Sequence, residues 1–131
     1  MLVVLLGGFA SVGPASAAPI VSKSFTWAQR SEGDCTRSSL TWTLNSDGVA
    51  SFDGVFKSSS DDDAWLMWAH MKDAAGHDMG LISNADNQSA DGNKFILNMP
   101  DHRQWYRWMG HGRFDPVKFS LITGMSLDNH C

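Results

Sequence analysis

The sequence predicts an all-β protein, an antiparallel barrel or sandwich of about seven to eight short strands with one short helical turn. Three observations carry this. Leu40, Trp42 and Leu44 alternate with Thr41 and Thr43, the period-two pattern of a strand with one buried face. Asn45-Ser46-Asp47-Gly48 interrupts the run and a second alternating arm follows, Val49 to Lys57, so Ser39 to Ser58 reads as a hairpin closed at Asp-Gly, a strong short turn signal. No stretch has the long strand-helix-strand spacing that a parallel sheet needs.

Residues 1–17 stand apart from this pattern. Leu2-Val3-Val4-Leu5-Leu6 continues apolar through Phe9 and Val12, then passes Gly13-Pro14 into Ala15-Ser16-Ala17. This is the apolar core and small-x-small cleavage site of a secretory signal peptide, which makes the protein secreted and extracellular and leaves 18–131 as a single β domain. Cleavage after Ala18 would place Pro19 directly behind the scissile bond, so the cut is placed after Ala17. The run is shorter than the ~20 apolar residues a bilayer needs and holds Gly7, Gly8, Gly13 and Pro14, which argues against a membrane anchor. No Lys or Arg precedes it, which points to a start codon further upstream.

The remaining elements follow in order. Ser24 to Gln29 is a first strand with Phe25, Trp27 and Gln29 on one face. After the acidic stretch Ser58 to Asp63, Trp65 to Met71 reads as strand or as helix, a helix being capped by Ser60 or Asp61 and closed by Gly76. The strand is expected, because Asp73-Ala74-Ala75-Gly76 turns the chain back into Met79-Gly80-Leu81-Ile82 as a second hairpin. Asn84 to Asn93 has no apolar anchor beyond two alanines and reads as an exposed, mobile loop. Lys94 to Met99 is a strand ended by Pro100. Gln104 to Met109 and Phe114 to Leu127 supply the last apolar material, and Phe114-Asp115-Pro116 opens a short helical turn.

A net charge of −4, with no run of Lys or Arg, disfavours nucleic acid and anionic membrane as partners. Cys35 and Cys131 are the two cysteines. In an oxidising compartment such a pair bonds, and closing a ~100-residue loop is worth up to about 4.7 kcal/mol in the chain-entropy treatment. There is no C-x-x-C spacing to suggest a metal or redox site.

Trp27, Gly33-Asp34-Cys35, Trp42-Thr43-Leu44, Asp47-Gly48, Ser59 to Trp68 and Met125-Ser126-Leu127 to Cys131 together resemble a group of small exported actinobacterial proteins of uncharacterised role. The resemblance covers most of the chain after the leader. It implies secretion and a single domain, and it implies no activity.

Nucleophile-elbow, H-E-x-x-H, phosphate-loop and dinucleotide fingerprints are absent. His70, His77, His102, His111 and His130 with the fourteen acids offer parts for a catalytic triad only if folding assembles one, so no catalytic residue is assigned. Asp61-Asp62-Asp63 and the Asp86, Asp91, Asn93 loop carry oxygens of the kind Ca²⁺ takes, but neither fits a calcium loop, and consecutive aspartates on a strand point to opposite faces. No metal or cofactor is expected. Of six tryptophans, Trp27 and Trp42 belong to the core by alternation. Trp105-Tyr106-Arg107-Trp108, near His111, combines flat aromatic faces with cationic donors. Trp105, Arg107, Trp108 and His111 are therefore the expected ligand-binding residues, although a strand would bury only Trp105 with Arg107 or Tyr106 with Trp108. The expected function is a monomeric, non-enzymatic binding domain for a saccharide or small apolar molecule. A secreted inhibitor or protein-interaction module, using the Asn84 to Asn93 loop, comes second, and a small hydrolase with an assembled His/Asp site third.

Overall fold

The Asp-Gly hairpin forms, and its first arm begins four residues before Ser39, with Cys35 and the buried Arg37 at the added inward positions. In the computed structural model, which describes residues 18–131, the first arm is β3 (Cys35–Asn45) and the second β4 (Val49–Ser58). Gly48, at φ +89°, closes the turn with its N–H on the Asn45 carbonyl. The signal-peptide expectation falls on residues 1–17, outside the described residues.

Ten strands run through the described residues: β1 (Ser22–Trp27), β2 (Arg30–Glu32), β3, β4, β5 (Asp63–Lys72), β6 (Asp78–Leu81), β7 (Ser83–Asn84), β8 (Phe95–Met99), β9 (Tyr106–Arg113) and β10 (Gly124–His130). The expected count of seven or eight was too low because β2 and β7 are too short to show a period. Trp65 to Met71 is strand. Pro116–Leu121 is a 3₁₀ turn entered through Asp115, whose side chain accepts from the Val117 N–H; Lys23 Nζ donates to the Phe119 and Ile122 carbonyls at its far end.

The strands make two antiparallel sheets packed as a sandwich, not a closed barrel. The first has the order β1-β3-β4-β9-β7 with β2 added on β3; the second has β10 along one side of β5 and β8, then β6, along the other. An irregularity between Arg37 and Leu40 interrupts the β3–β4 register, after which Leu40 faces Gly54, Trp42 faces Phe52 and Leu44 faces Ala50.

Between the sheets lies a chain of rings. Phe95, Trp42, Phe52, Trp108, Phe56 and Trp65 follow one another with centroids 4.8 to 5.3 Å apart, mostly edge to face, the arrangement the ring quadrupoles favour. Four come from the first sheet; Trp65 and Phe95 come from the second. Small residues make room for them. A Cβ on Gly110 would sit 2.5 Å from Phe52, and one on Gly112 2.5 Å from Ile82. Trp27 is half-buried against the edge of this core.

Cys35, at the start of β3, is bonded to Cys131 beyond β10, across 96 residues and with Cα atoms 6.0 Å apart. The bond ties the first sheet to the second. The Asp63 carboxylate lies beside both sulfurs and accepts from Ser58 Oγ at 2.6 Å.

The Asn84 to Asn93 segment is the mostly exposed loop without an apolar anchor that was expected. Its anchors are polar: Asn84 is buried and donates to Gln88 Oε1 and the Lys94 carbonyl, while Gln88 exchanges two hydrogen bonds with the Ile96 backbone. Asp91 also accepts from the Trp68 indole at 2.9 Å.

The stabilities of four variants check this packing. Cys35→Ala should lower the unfolding free energy by about 2–5 kcal/mol in urea titration. Gly110→Ala should cost about 1–3 kcal/mol by overpacking against Phe52 and Trp42→Ala about 3–5 kcal/mol, whereas Trp105→Ala should stay within about 0.5 kcal/mol of the parent.

Candidate functional site

Burial of one face of β9 decides what its other face presents. Trp108, Gly110 and Gly112 point into the core, so Arg107, Met109 and His111 point out. On β4 the outward positions are Ser51, Asp53, Val55 and Lys57, and on β3 they include Thr36, Thr41 and Thr43. β4 pairs with β9 from Val49 opposite Arg113 to Phe56 opposite Tyr106, which sets these outward side chains beside one another. They line an open trough of about 710 Å³ with walls from β3 and β9 and a floor on β4.

At the middle of the trough Arg107 holds Asp53. Nε donates to Oδ1 at 3.1 Å and Nη2 to Oδ2 at 2.7 Å, the paired-fork geometry that fixes a guanidinium in one plane. That contact lowers the Asp53 carboxyl below its ordinary range and raises the Arg107 guanidinium above its own. Hydroxyls of Thr41, Thr43 and Ser51 flank the pair, and Met109 is an exposed apolar surface beside it.

A second, smaller depression of about 270 Å³ is lined by Gln29, Asp34, Thr36, Lys57, Ser58, Ser59 and Trp105. Trp105 is half exposed there, and Lys57 Nζ lies 5.7 Å from its ring centroid.

Of the four residues expected to bind ligand, Arg107 and His111 line the trough and Trp105 lines the neighbouring depression. Trp108 does not belong with them. Its placement on the binding face is corrected by the alternation of β9, which puts it in the core at 7% exposure, against Phe52 and Phe56. Sequence reading missed Asp53, Thr41, Thr43 and Ser51. The outward alternation of the hairpin was a signal for them, but their meeting with Arg107 depends on a strand pairing across about fifty residues, which no local pattern reveals.

The acids are spent largely on turns. Asp47, Asp73, Asp78, Asp91, Asp101 and Asp115 each accept from the backbone N–H two residues ahead, the local bond for which aspartate is favoured at turns. Asp61, Asp62 and Asp63 diverge: Asp61 accepts from the His102 ring and backbone, Asp62 has φ 53° in the turn, and Asp63 faces Ser58 and the cystine. Asp61, Asp101 and His102 do come within 4.8 Å of one another, but Arg103 grips Asp101 through two bonds and helps hold its carboxyl at about 2. Among the described residues no histidine ring bonds a hydroxyl.

His70, on the outer face of the second sheet, is clamped between Asp78 of β6 at 2.8 Å and Asp128 of β10 at 2.7 Å. Burial pulls its pKa down, but the bonds and charges of Asp128 and Asp78 outweigh that and raise it on balance.

The fold and site define a class: a β-sandwich, stapled between its sheets by a disulfide, with an open polar trough on the outer face of one sheet. Residues 41–131 match a family of unknown function, DUF6294, and the chain belongs to that family. No curated protein and no solved structure matches it.

The His70 clamp gives a pH test. A histidine whose folded pKa is raised stabilises fully below its unfolded value of about 6.5 and loses that contribution as pH rises through the folded value. Melting temperature should therefore fall between mildly acidic and mildly alkaline pH, and His70→Gln should flatten that fall. An equal slope in both proteins would remove the clamp's role.

Proposed function

We propose that this is an exported, non-enzymatic binding protein that takes a saccharide in the trough on the outer face of its first sheet. The observation that carries the reading is the Arg107–Asp53 pair set among hydroxyls in an open cleft. A sugar presents donors and acceptors side by side on every ring, and such a pair offers both while being neutral overall. Arg107 has Nη1 uncommitted by Asp53, the Asp53 oxygens keep free lone pairs, the Ser51 hydroxyl serves either role, and those of Thr41 and Thr43, each sharing a hydrogen bond with Thr26 or Ser24, keep their remaining one. Met109 offers an apolar surface for the C–H side of a ring. His111, at the end of the trough, adds a nitrogen donor or acceptor.

Export is supported by the disulfide, a bond that persists in oxidising compartments, and by the leader-like residues 1–17. No helix among the described residues is long and apolar enough to cross a membrane. A protein-interaction module is the second reading, favoured by Val117 and Leu121, which stand 80% and 60% exposed on the 3₁₀ turn.

Screening the purified protein on a glycan array, followed by calorimetry on the hits, tests the first reading. Arg107→Ala and Asp53→Ala should each weaken binding by roughly 2 kcal/mol or more, as truncation of an anchor does, with an unchanged far-UV circular dichroism spectrum. Unaltered affinity in a folded double variant would remove the trough as the site.

A further inference from the structure

We infer that the ligand is an extended, uncharged polysaccharide chain that runs along β4 and β9 through both depressions, with one ring stacked on Trp105. This rests on the saccharide reading above and adds to it the length, charge and shape of the ligand.

The two depressions are consecutive along the same strands. Outward positions on β9 descend from His111 through Met109 to Arg107, and Trp105 is the next residue in that alternation. On β4 they run through Asp53 and Val55 to Lys57. From His111 to Trp105 the span is about 20 Å at the rise of a strand, too long for a mono- or disaccharide to fill.

The two ends of that span differ in chemistry. Around Arg107 the surface offers hydrogen bonds; at Trp105 it offers a half-exposed indole with the Lys57 ammonium over one of its faces, so a sugar ring stacks on the other. An indole face set at the end of a polar trough takes a sugar ring most effectively when neighbouring rings of the same chain are already held by the polar groups. The binding events then become intramolecular.

The charges select against ionic ligands. Asp53 and Arg107 satisfy one another, so an acidic sugar bound at Arg107 meets the Asp53 carboxylate and a basic one meets the guanidinium. In the smaller depression Lys57 and Asp34, though not paired with one another, put both signs along the ligand's path, so a chain of either charge meets one like charge. Shape adds a second selection, since the positions follow one strand direction and a chain that coils leaves this line after a ring or two.

The test uses cello- and N-acetylated chito-oligosaccharides of two to six units, with maltohexaose and a hexameric oligogalacturonate as coiled and acidic comparators. Binding is followed by calorimetry and intrinsic tryptophan fluorescence. The extended neutral hexamers should bind about 10-fold or more tightly than their dimers and shift the fluorescence. Trp105→Ala should lose about 10-fold for hexamers and nothing for dimers, and Trp105→Phe should restore most of the loss. Equal affinity for dimer and hexamer, a Trp105→Ala protein that binds hexamers normally, or preference for either comparator would overturn the extended-chain inference while leaving a saccharide site in the trough intact. Failure of every glycan, on the array and in titration, ends both.

Discussion

The chain of rings between the sheets is the constraint on which the rest depends. Trp108 sits at its middle, touching Phe52 and Phe56 of β4, and Gly110 next along β9 is what lets Phe52 approach. These contacts fix the register of β9 against β4. In a strand, a slip of one residue turns every side chain to the other face, so packing of Trp108 in the core and presentation of Arg107, Met109 and His111 outside are one structural fact. The outer face that carries the trough is the reverse side of the core.

That coupling also explains which parts of the molecule were legible in the sequence. The β3–β4 hairpin was, because Leu40, Trp42 and Leu44 declare a buried face and Asp47-Gly48 declares the turn within a few residues. The Cys35–Cys131 bond was too, since no other thiol competes. The meeting of Asp53 with Arg107 was not. It requires β4 to find β9 across the four strands β5 to β8, and nothing in either segment names its partner. The aromatic cluster at 105–108 was seen as a unit and then divided by the fold, half to the interior and half to the surface, as strand alternation requires. The exposed Asn84 to Asn93 loop was legible from its lack of apolar residues, but its tethers were not: the amide side chains of Asn84 and Gln88 reach the Lys94 and Ile96 backbone, and hydrophobicity carries no trace of such bonds.

The distribution of charge has a structural logic of its own. Aspartate is the common turn-builder of this protein, repeating one short side-chain to backbone bond at six turns, and two of those six, Asp73 and Asp78, also hold histidines, as Asp61 and Asp128 do. Carboxylates committed in this way are poor candidates for proton transfer or for holding an ion. Asp53 differs because its partner is a side chain on a neighbouring strand, at the centre of an open face. A reading that weighted each acid by number alone would have looked first at Asp61 to Asp63, where three carboxylates lie together in sequence and apart in space.

The cystine and the β4–β9 pairing both join distant parts of the chain, and this governs the order in which the protein can be assembled. The β3–β4 hairpin closes locally, but the far edge of β4 lacks its neighbour until β9 has been reached, and loop closure of that length makes sheet proteins of this kind slow to fold, in milliseconds to seconds. During that interval β4 is an apolar strand with unpaired backbone groups, the sort of edge that recruits other chains. The sulfurs are held within bonding reach once both sheets have met, because Cys35 belongs to one and Cys131 follows the last strand of the other. A cystine closed at that point secures an assembly already complete and gives no protection during the interval of greatest exposure.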